Sequence, residues 1–248
     1  MIRTFVQRAL GQFGYQLQRV PRADFSGGAF VGGAVPFASQ YDVETVIDVG
    51  VAGGTPWLYR AFPTQNLLLI EPLNVVDSLG KFLDGRNYEL VECAVGASEG
   101  STDIHFDRTM PSRSSIQKRT GLTANPTHDV VTRTVEIRTL DRVVAESRFR
   151  DSVRYGMKID TEGFELDVVK GAVDTLRRCS FVVCEVSIEK RFEESYTFSD
   201  LIVFMHSQGF LVRKLLSARP DRHGLIKFAD VLFEPRGPNT TANASTAQ

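Results

Sequence analysis

Residues 46–71 read VIDVGVAGGTPWLYRAFPTQNLLLIE. An apolar, β-branched run (Val46, Ile47, Val49) carries Asp48 and ends on Gly50, after which Gly53 and Gly54 open a short helical pattern. A second apolar run, Leu67–Ile70, stops on the acid Glu71. The order is strand, glycine turn, helix, strand, acid. In doubly wound α/β proteins this arrangement holds an adenosine-containing cofactor at the strand ends. Glycine lets the backbone approach a ligand with no Cβ in the way. An acid about twenty residues further on can accept from both ribose hydroxyls.

Working outward, the alternation continues in both directions. Strands are predicted at 45–49, 67–70 and 89–95, with helical patterns at 56–62 and 75–83 between them. Residues 101–106 and 131–138 alternate polar and apolar side chains and read as more exposed strands. Between them runs a long polar stretch, 107–129, containing MPSRSSI at 110–116. A loop of that length in a compact domain is expected to be functional or mobile. The second half predicts a strand at 155–159 ending on Asp160, an amphipathic helix over 164–176, and a strand at 181–183 ending near Glu185. A helix at 198–206 and strands at 210–216 and 228–233 follow. The last two runs lie close together around Pro220, Asp221 and Gly224, which suits an antiparallel pair at a sheet edge. The fold class expected is α/β: a Rossmann-like, doubly wound sheet, mostly parallel with an antiparallel final strand. Class I methyltransferases share that pattern, whereas a plain nicotinamide-binding domain would end on another parallel strand.

A chain of 248 residues that is 42% hydrophobic can bury one large core. The 29 basic and 30 acidic residues nearly cancel, so bulk charge points to no nucleic acid or other polyanion. Cys93, Cys179 and Cys184 lie in or beside apolar runs and contain no CxxC, which predicts buried free thiols and a reducing, cytoplasmic setting. Residues 1–25 place Ile2, Phe5, Val6, Ala9, Leu10, Phe13 and Leu17 at helical spacing among arginines. This predicts an amphipathic helix that packs on the domain or a partner subunit, or makes weak contact with the inner face of a membrane. The domain itself is expected over 40–235, followed by a tail, 236–248, with almost nothing to bury and therefore disordered. Nothing in the chain indicates an oligomeric state.

The glycine spacing decides the cofactor class only in combination with its acids. DVGVAGG does not fit the GxGxxG of pyrophosphate binders, and Asp48 sits where a carboxylate would repel a diphosphate. S-adenosylmethionine carries an ammonium and a sulfonium and no phosphate, so an acid-lined cleft suits it better than a dinucleotide.

These segments resemble the FkbM-type methyltransferase family from about Thr45 to Val212. The resemblance is carried by IDVGVAGG, LIEP at 69–72, CAVGASEGS at 93–101, TLDRVV at 139–144, MKIDTEGFELDVVKGA at 157–172 and VVCEVS at 182–187. It implies a class I fold and methyl transfer from S-adenosylmethionine, usually to a hydroxyl oxygen of a glycan or glycolipid sugar or of a secondary metabolite. The chain departs from the family pattern at Pro56 and Trp57, where a small polar residue is common.

Roles follow by position. Asp48, Gly50 and Gly53 are expected at the methionine part of the cofactor, Glu71 at the ribose, and Cys93 and Ala94 at the adenine. Asp160 and Glu162, where the fourth strand ends, are the candidate catalytic acids; Glu162 alternatively caps a helix start. Lys158 is expected to form a structural ion pair. Glu185 and Arg113 are candidate acceptor contacts, with Ser112, Ser114 and Ser115 beside Arg113. His128 and His223 read as surface residues. The spacing of Asp160, Glu162 and Glu185 forms no recognisable metal motif, so no metal is expected. A non-catalytic binding protein that keeps the fold is the alternative from a different class.

Overall fold

The computed structural model of the protein describes residues 41–73, 76–109, 113–120, 129–220 and 223–237. The N-terminal amphipathic stretch, residues 26–34, Ser112, His128 and the tail from 238 onward lie outside these.

Among the described residues ten strands and six helices follow one another along the chain. Strands β1 (Thr45–Val49), β2 (Asn66–Ile70), β3 (Tyr88–Val91), β7 (Tyr155–Ile159) and β8 (Cys179–Ser187) run parallel in the order β3-β2-β1-β7-β8. β10 (Ile226–Pro235) adds antiparallel to β8, and β9 (Phe210–Pro220) closes the edge antiparallel to β10. The sheet is thus mostly parallel, with β10 alone running against the rest.

Period-two alternation divides the core. Ile47 and Val49 of β1 face one side, packing with Leu140, Val143 and Val144 of α3 (Leu140–Glu146), Val168 and Val169 of α4 (Glu165–Lys170), Leu176 of α5 (Val173–Leu176), and Leu201 and Met205 of α6 (Phe198–Ser207). Val46 faces the other, against Leu58 and Tyr59 of α1 (Pro56–Ala61) and Leu79 of α2 (Val76–Leu83). Every residue of β1 and β7 is buried, as parallel strands covered on both faces require.

Three elements differ from the sequence reading. The strand expected at 89–95 is two: the chain turns out of the main sheet after β3, and β4 (Ala94–Val95) joins a second sheet of order β4-β6-β5, with β5 (Gly100–Asp107) and β6 (Val130–Arg138). The helix expected over 164–176 breaks at Gly171. A Cβ there would stand 2.0 Å from the Gly96 carbonyl oxygen, and the Gly171 carbonyl accepts from Asp141 N at 2.9 Å, so the segment is pinned between two loops. α3, unassigned from periodicity, is N-capped by Thr139, whose hydroxyl accepts from Arg142 N at 3.3 Å. Among the described residues no helix is long and apolar enough to cross a membrane.

Candidate active site

The carboxyl ends of β1, β2, β4 and β7 line a cleft at the edge where open α/β sheets bind their ligands. Its floor is the turn after β1. Gly50 takes φ +75°, and a Cβ there would lie 1.9 Å from the Asp160 carbonyl oxygen, so the ends of β1 and β7 touch backbone to backbone. Ala52 also has a positive φ, +44°, uncommon for a non-glycine residue. Its N–H donates to Glu71 Oε2 at 2.9 Å, and Leu73 N donates to Oε1 at 3.2 Å. One carboxylate at the end of β2 therefore ties the glycine turn to the following loop. Burial raises the Glu71 pKa, and those two backbone donors pull it back.

One wall is apolar, built from Ile70, Cys93, Val95, Ile104 and Ile116. Burial pushes the Cys93 thiol up to about 11, so it meets the cleft as a neutral group. The polar wall carries Ser114, Ser115, Asp160, Thr161 and Glu162. Among the described residues the lining includes three acids and no lysine or arginine. Such a lining suits a cationic ligand with an aromatic base better than a diphosphate.

Of the residues read from sequence, Gly50, Glu71, Cys93, Ala94, Asp160 and Glu162 all reach this cleft. Asp48 does not. Its side chain is fully buried beneath the turn, with Oδ2 accepting from Tyr59 Oη at 2.6 Å and Oδ1 3.2 Å from Lys158 Nζ. Asp48 and Lys158 are direct partners on adjacent parallel strands, so the pair neutralises itself inside the sheet edge. Lys158 also donates to the Gly50 carbonyl at 2.9 Å and lies 3.5 Å from Asp160 Oδ2. Burial pulls the Lys158 ammonium down, but Asp48 and Asp160 together outweigh it and hold its pKa above the ordinary lysine value. Gly53 stands off the cleft wall, and a Cβ on it would meet nothing within 4 Å.

The acids at the β7 and β8 ends are not equivalent. Glu162 Oε2 lies 3.0 Å from Arg119 and 3.2 Å from Arg191, and Glu185 Oε1 lies 2.9 Å from Arg191. Arg191 stacks over Phe228, 4.4 Å from the ring centroid. Burial raises Glu162 while Arg191 and Arg119 oppose it; burial, with Asp160 and Glu162 nearby, pushes Glu185 well above the carboxylate range. Asp160 is tied only to Lys158 among these cations and keeps about a third of its side chain exposed, at 34%. Arg113 and Glu185 do not line the cleft. The Arg113 carbonyl accepts from Arg119 at 3.3 Å.

The segment after Arg113 crosses the cleft. Ser115 exchanges backbone hydrogen bonds with His105 of β5, its hydroxyl donates to the Glu162 carbonyl at 2.5 Å, and Thr120 N donates to the Arg191 carbonyl at 2.9 Å. Arg119 and Arg191 had no sequence signal, because ion-pair partners from distant loops leave no periodicity.

Three solved structures are similar over much of the chain. The human methyltransferase 10 domain containing protein is 13% identical, covering 96% of both chains with a TM-score of 0.38. An O-methyltransferase family protein from Burkholderia thailandensis is 9% identical over 81% of this chain and 53% of its own, with a TM-score of 0.43. A SAM-dependent methyltransferase from Methanosarcina mazei is 9% identical over 81% of this chain and 97% of its own, at 0.40. No curated protein matches the sequence. The model of the methyltransferase FkbM domain matches residues 48–212, from the acid inside β1 to β9, and the chain therefore belongs to the FkbM family of methyltransferases, with S-adenosylmethionine as methyl donor.

Proposed function

We propose that the protein methylates a hydroxyl oxygen, most naturally on a sugar of a glycan or glycolipid. The observation that carries this reading is the position of Asp160. Among the described residues it is the one acid of the β7–β8 edge on the cleft wall that no arginine holds, and about a third of its side chain is open to solvent. S-adenosylmethionine supplies an electrophilic methyl group on a sulfonium. In this reading Glu71 accepts from the ribose hydroxyls and the Cys93–Ala94 backbone flanks the adenine. Gly50 leaves room for the methionine part beside Asp160. Asp160 then holds the acceptor hydroxyl in line and takes its proton as the oxygen–methyl bond forms, and orientation supplies much of the acceleration. Glu162 and Glu185 serve the site as the acids that position Arg119 and Arg191. Asp48 acts from beneath, through Lys158.

A lipid-linked acceptor would suit the apolar and arginine-rich residues 1–25 and a place at the inner face of a membrane. Incubating the protein with isotopically methyl-labelled donor and a panel of glycans, glycolipids and small hydroxylated metabolites tests the reading. Label should appear on a sugar oxygen. Transfer to nitrogen or carbon, or no donor binding by calorimetry, would overturn it.

A further inference from the structure

The loop Asp160–Gly163, which carries Asp160 and Glu162, is built from conformations the chain avoids. Glu162 has φ +53° and Gly163 φ +100°. A left-handed non-glycine residue persists only where its surroundings over-determine it. Backbone groups of this turn find partners from distant elements. Asp160 N donates to the Val49 carbonyl at 3.0 Å, the Glu162 carbonyl accepts from Ser115, and the Gly163 carbonyl accepts from Ser195 at 3.1 Å. The amides of Thr161 and Gly163 donate to one atom, Glu165 Oε1, at 2.9 and 3.0 Å. The Thr161 hydroxyl reaches the same oxygen at 3.2 Å, and Tyr196 Oη donates to Oε2 at 2.5 Å. Glu165 is 1% exposed and does not line the cleft.

We propose that Glu165 is a positioning residue: its buried carboxylate holds the Asp160–Gly163 turn in the shape that forms the polar wall of the cleft. The geometry is specific to a side chain of this length. Oε1 receives three donors from the turn while Oε2 is fixed from behind by Tyr196, so the carboxylate cannot swing away. Because Asp160 O packs against Gly50, slackening the turn also shifts the glycine floor beneath the donor. The effect on donor binding rests on the reading of the cleft as the S-adenosylmethionine site; the effect on the turn does not.

The test compares Glu165→Ala and Glu165→Gln in the full chain, using amide hydrogen exchange and calorimetry with S-adenosylmethionine. Glutamine keeps an oxygen for the three donors and can donate its amide to Tyr196 Oη. In Glu165→Ala, exchange at Thr161 and Gly163 should accelerate roughly tenfold or more, while Val46 and Ile47 of β1 keep their protection. Its Kd for the donor should rise by a similar factor, and Glu165→Gln should restore both to within about threefold of the parent protein. Turn amides as protected in Glu165→Ala as in the parent protein would overturn the proposal. So would acceleration that is equal in the turn and in β1, or a Gln variant no better than Ala. Should Glu165→Ala fail to fold, Glu165→Asp, whose carboxylate is drawn back by one methylene, must show the same local acceleration or the proposal falls. Loss of donor binding by the parent protein itself would sink the reading of the cleft and leave the exchange comparison to decide the role of Glu165.

Discussion

Lys158 Nζ stands 3.2 Å from Asp48 Oδ1, joining β7 to β1 underneath the glycine turn. Both side chains are buried, so removing one leaves an uncompensated charge. Lys158→Met should cost about 3–5 kcal/mol, and the double variant Asp48→Asn/Lys158→Met should recover most of it, since the neutral amide still accepts from Tyr59. Urea unfolding followed by circular dichroism measures both. Equal losses in single and double variants would show that the pair does not act as a unit.

The two glycines read as cofactor residues should respond differently. Gly50→Ala forces a Cβ onto the Asp160 carbonyl at a positive φ and should cost about 2–4 kcal/mol and abolish donor binding. Gly53→Ala meets open space and should change stability by less than about 1 kcal/mol. Thermal unfolding and calorimetry on the two variants separate these outcomes.

Asp160→Asn should lower single-turnover methyl transfer at least ~10-fold while leaving the donor Kd within about threefold. Glu162→Gln should instead lower stability, because two guanidiniums lose their shared anion. Unchanged turnover in Asp160→Asn would remove its carboxylate from the chemistry.

Cys93 provides a probe of the cleft. With its thiol pushed up to about 11, alkylation by iodoacetamide should be slow near pH 8 and accelerate about tenfold per pH unit toward that value. S-adenosylmethionine should suppress it. Peptide mass spectrometry would read the modification site by site, with Cys179 and Cys184, equally buried but away from the cleft, as internal controls.

Burial raises the Glu165 pKa above the ordinary glutamate value, outweighing the opposing hydrogen bonds led by that from Tyr196. The folded state therefore binds this proton more tightly than the unfolded state. The stabilisation is complete below the unfolded pKa and is lost as pH rises through the raised one. Glu165→Gln carries no such proton, so its stability relative to the parent protein should climb between about pH 4 and 7. Urea midpoints at the two pH values give the sign directly.

The sheet was legible because it is written in local signals. β1, β2 and β7 are short apolar runs stopped by Gly50, Glu71 and Asp160, and the close spacing of the last two runs announced the β9–β10 pair. What escaped was contact-driven. The break at Gly171 comes from the approach of Gly96, and the end of β3 from the chain's entry into the smaller sheet. The site divided the same way. Glu71 and Asp160 occupy strand ends that sequence position can identify, and both reach the cleft. Asp48 shares that kind of position, but alternation along β1 and the partners Lys158 and Tyr59 take its side chain below the floor. The sequence motif around Glu165 was visible, whereas the inward fold of its carboxylate onto Thr161 and Gly163 depends on Tyr196, some thirty residues away by the order of the chain.

The reversed direction of β10 couples the last hairpin to the arginine beside the cleft. Because β9 arrives and β10 departs at the end of the sheet where β7 and β8 finish, the start of β10 brings Phe228 under Arg191 and sets Asp230 opposite Glu185. The ends of β1 and β2 that line the cleft are separated from this hairpin by β7 and β8, and β4 lies in the smaller sheet. A change at Phe228 would therefore reach Arg191 and, through it, Glu162 and Glu185, while leaving the ends of β1 and β2 untouched.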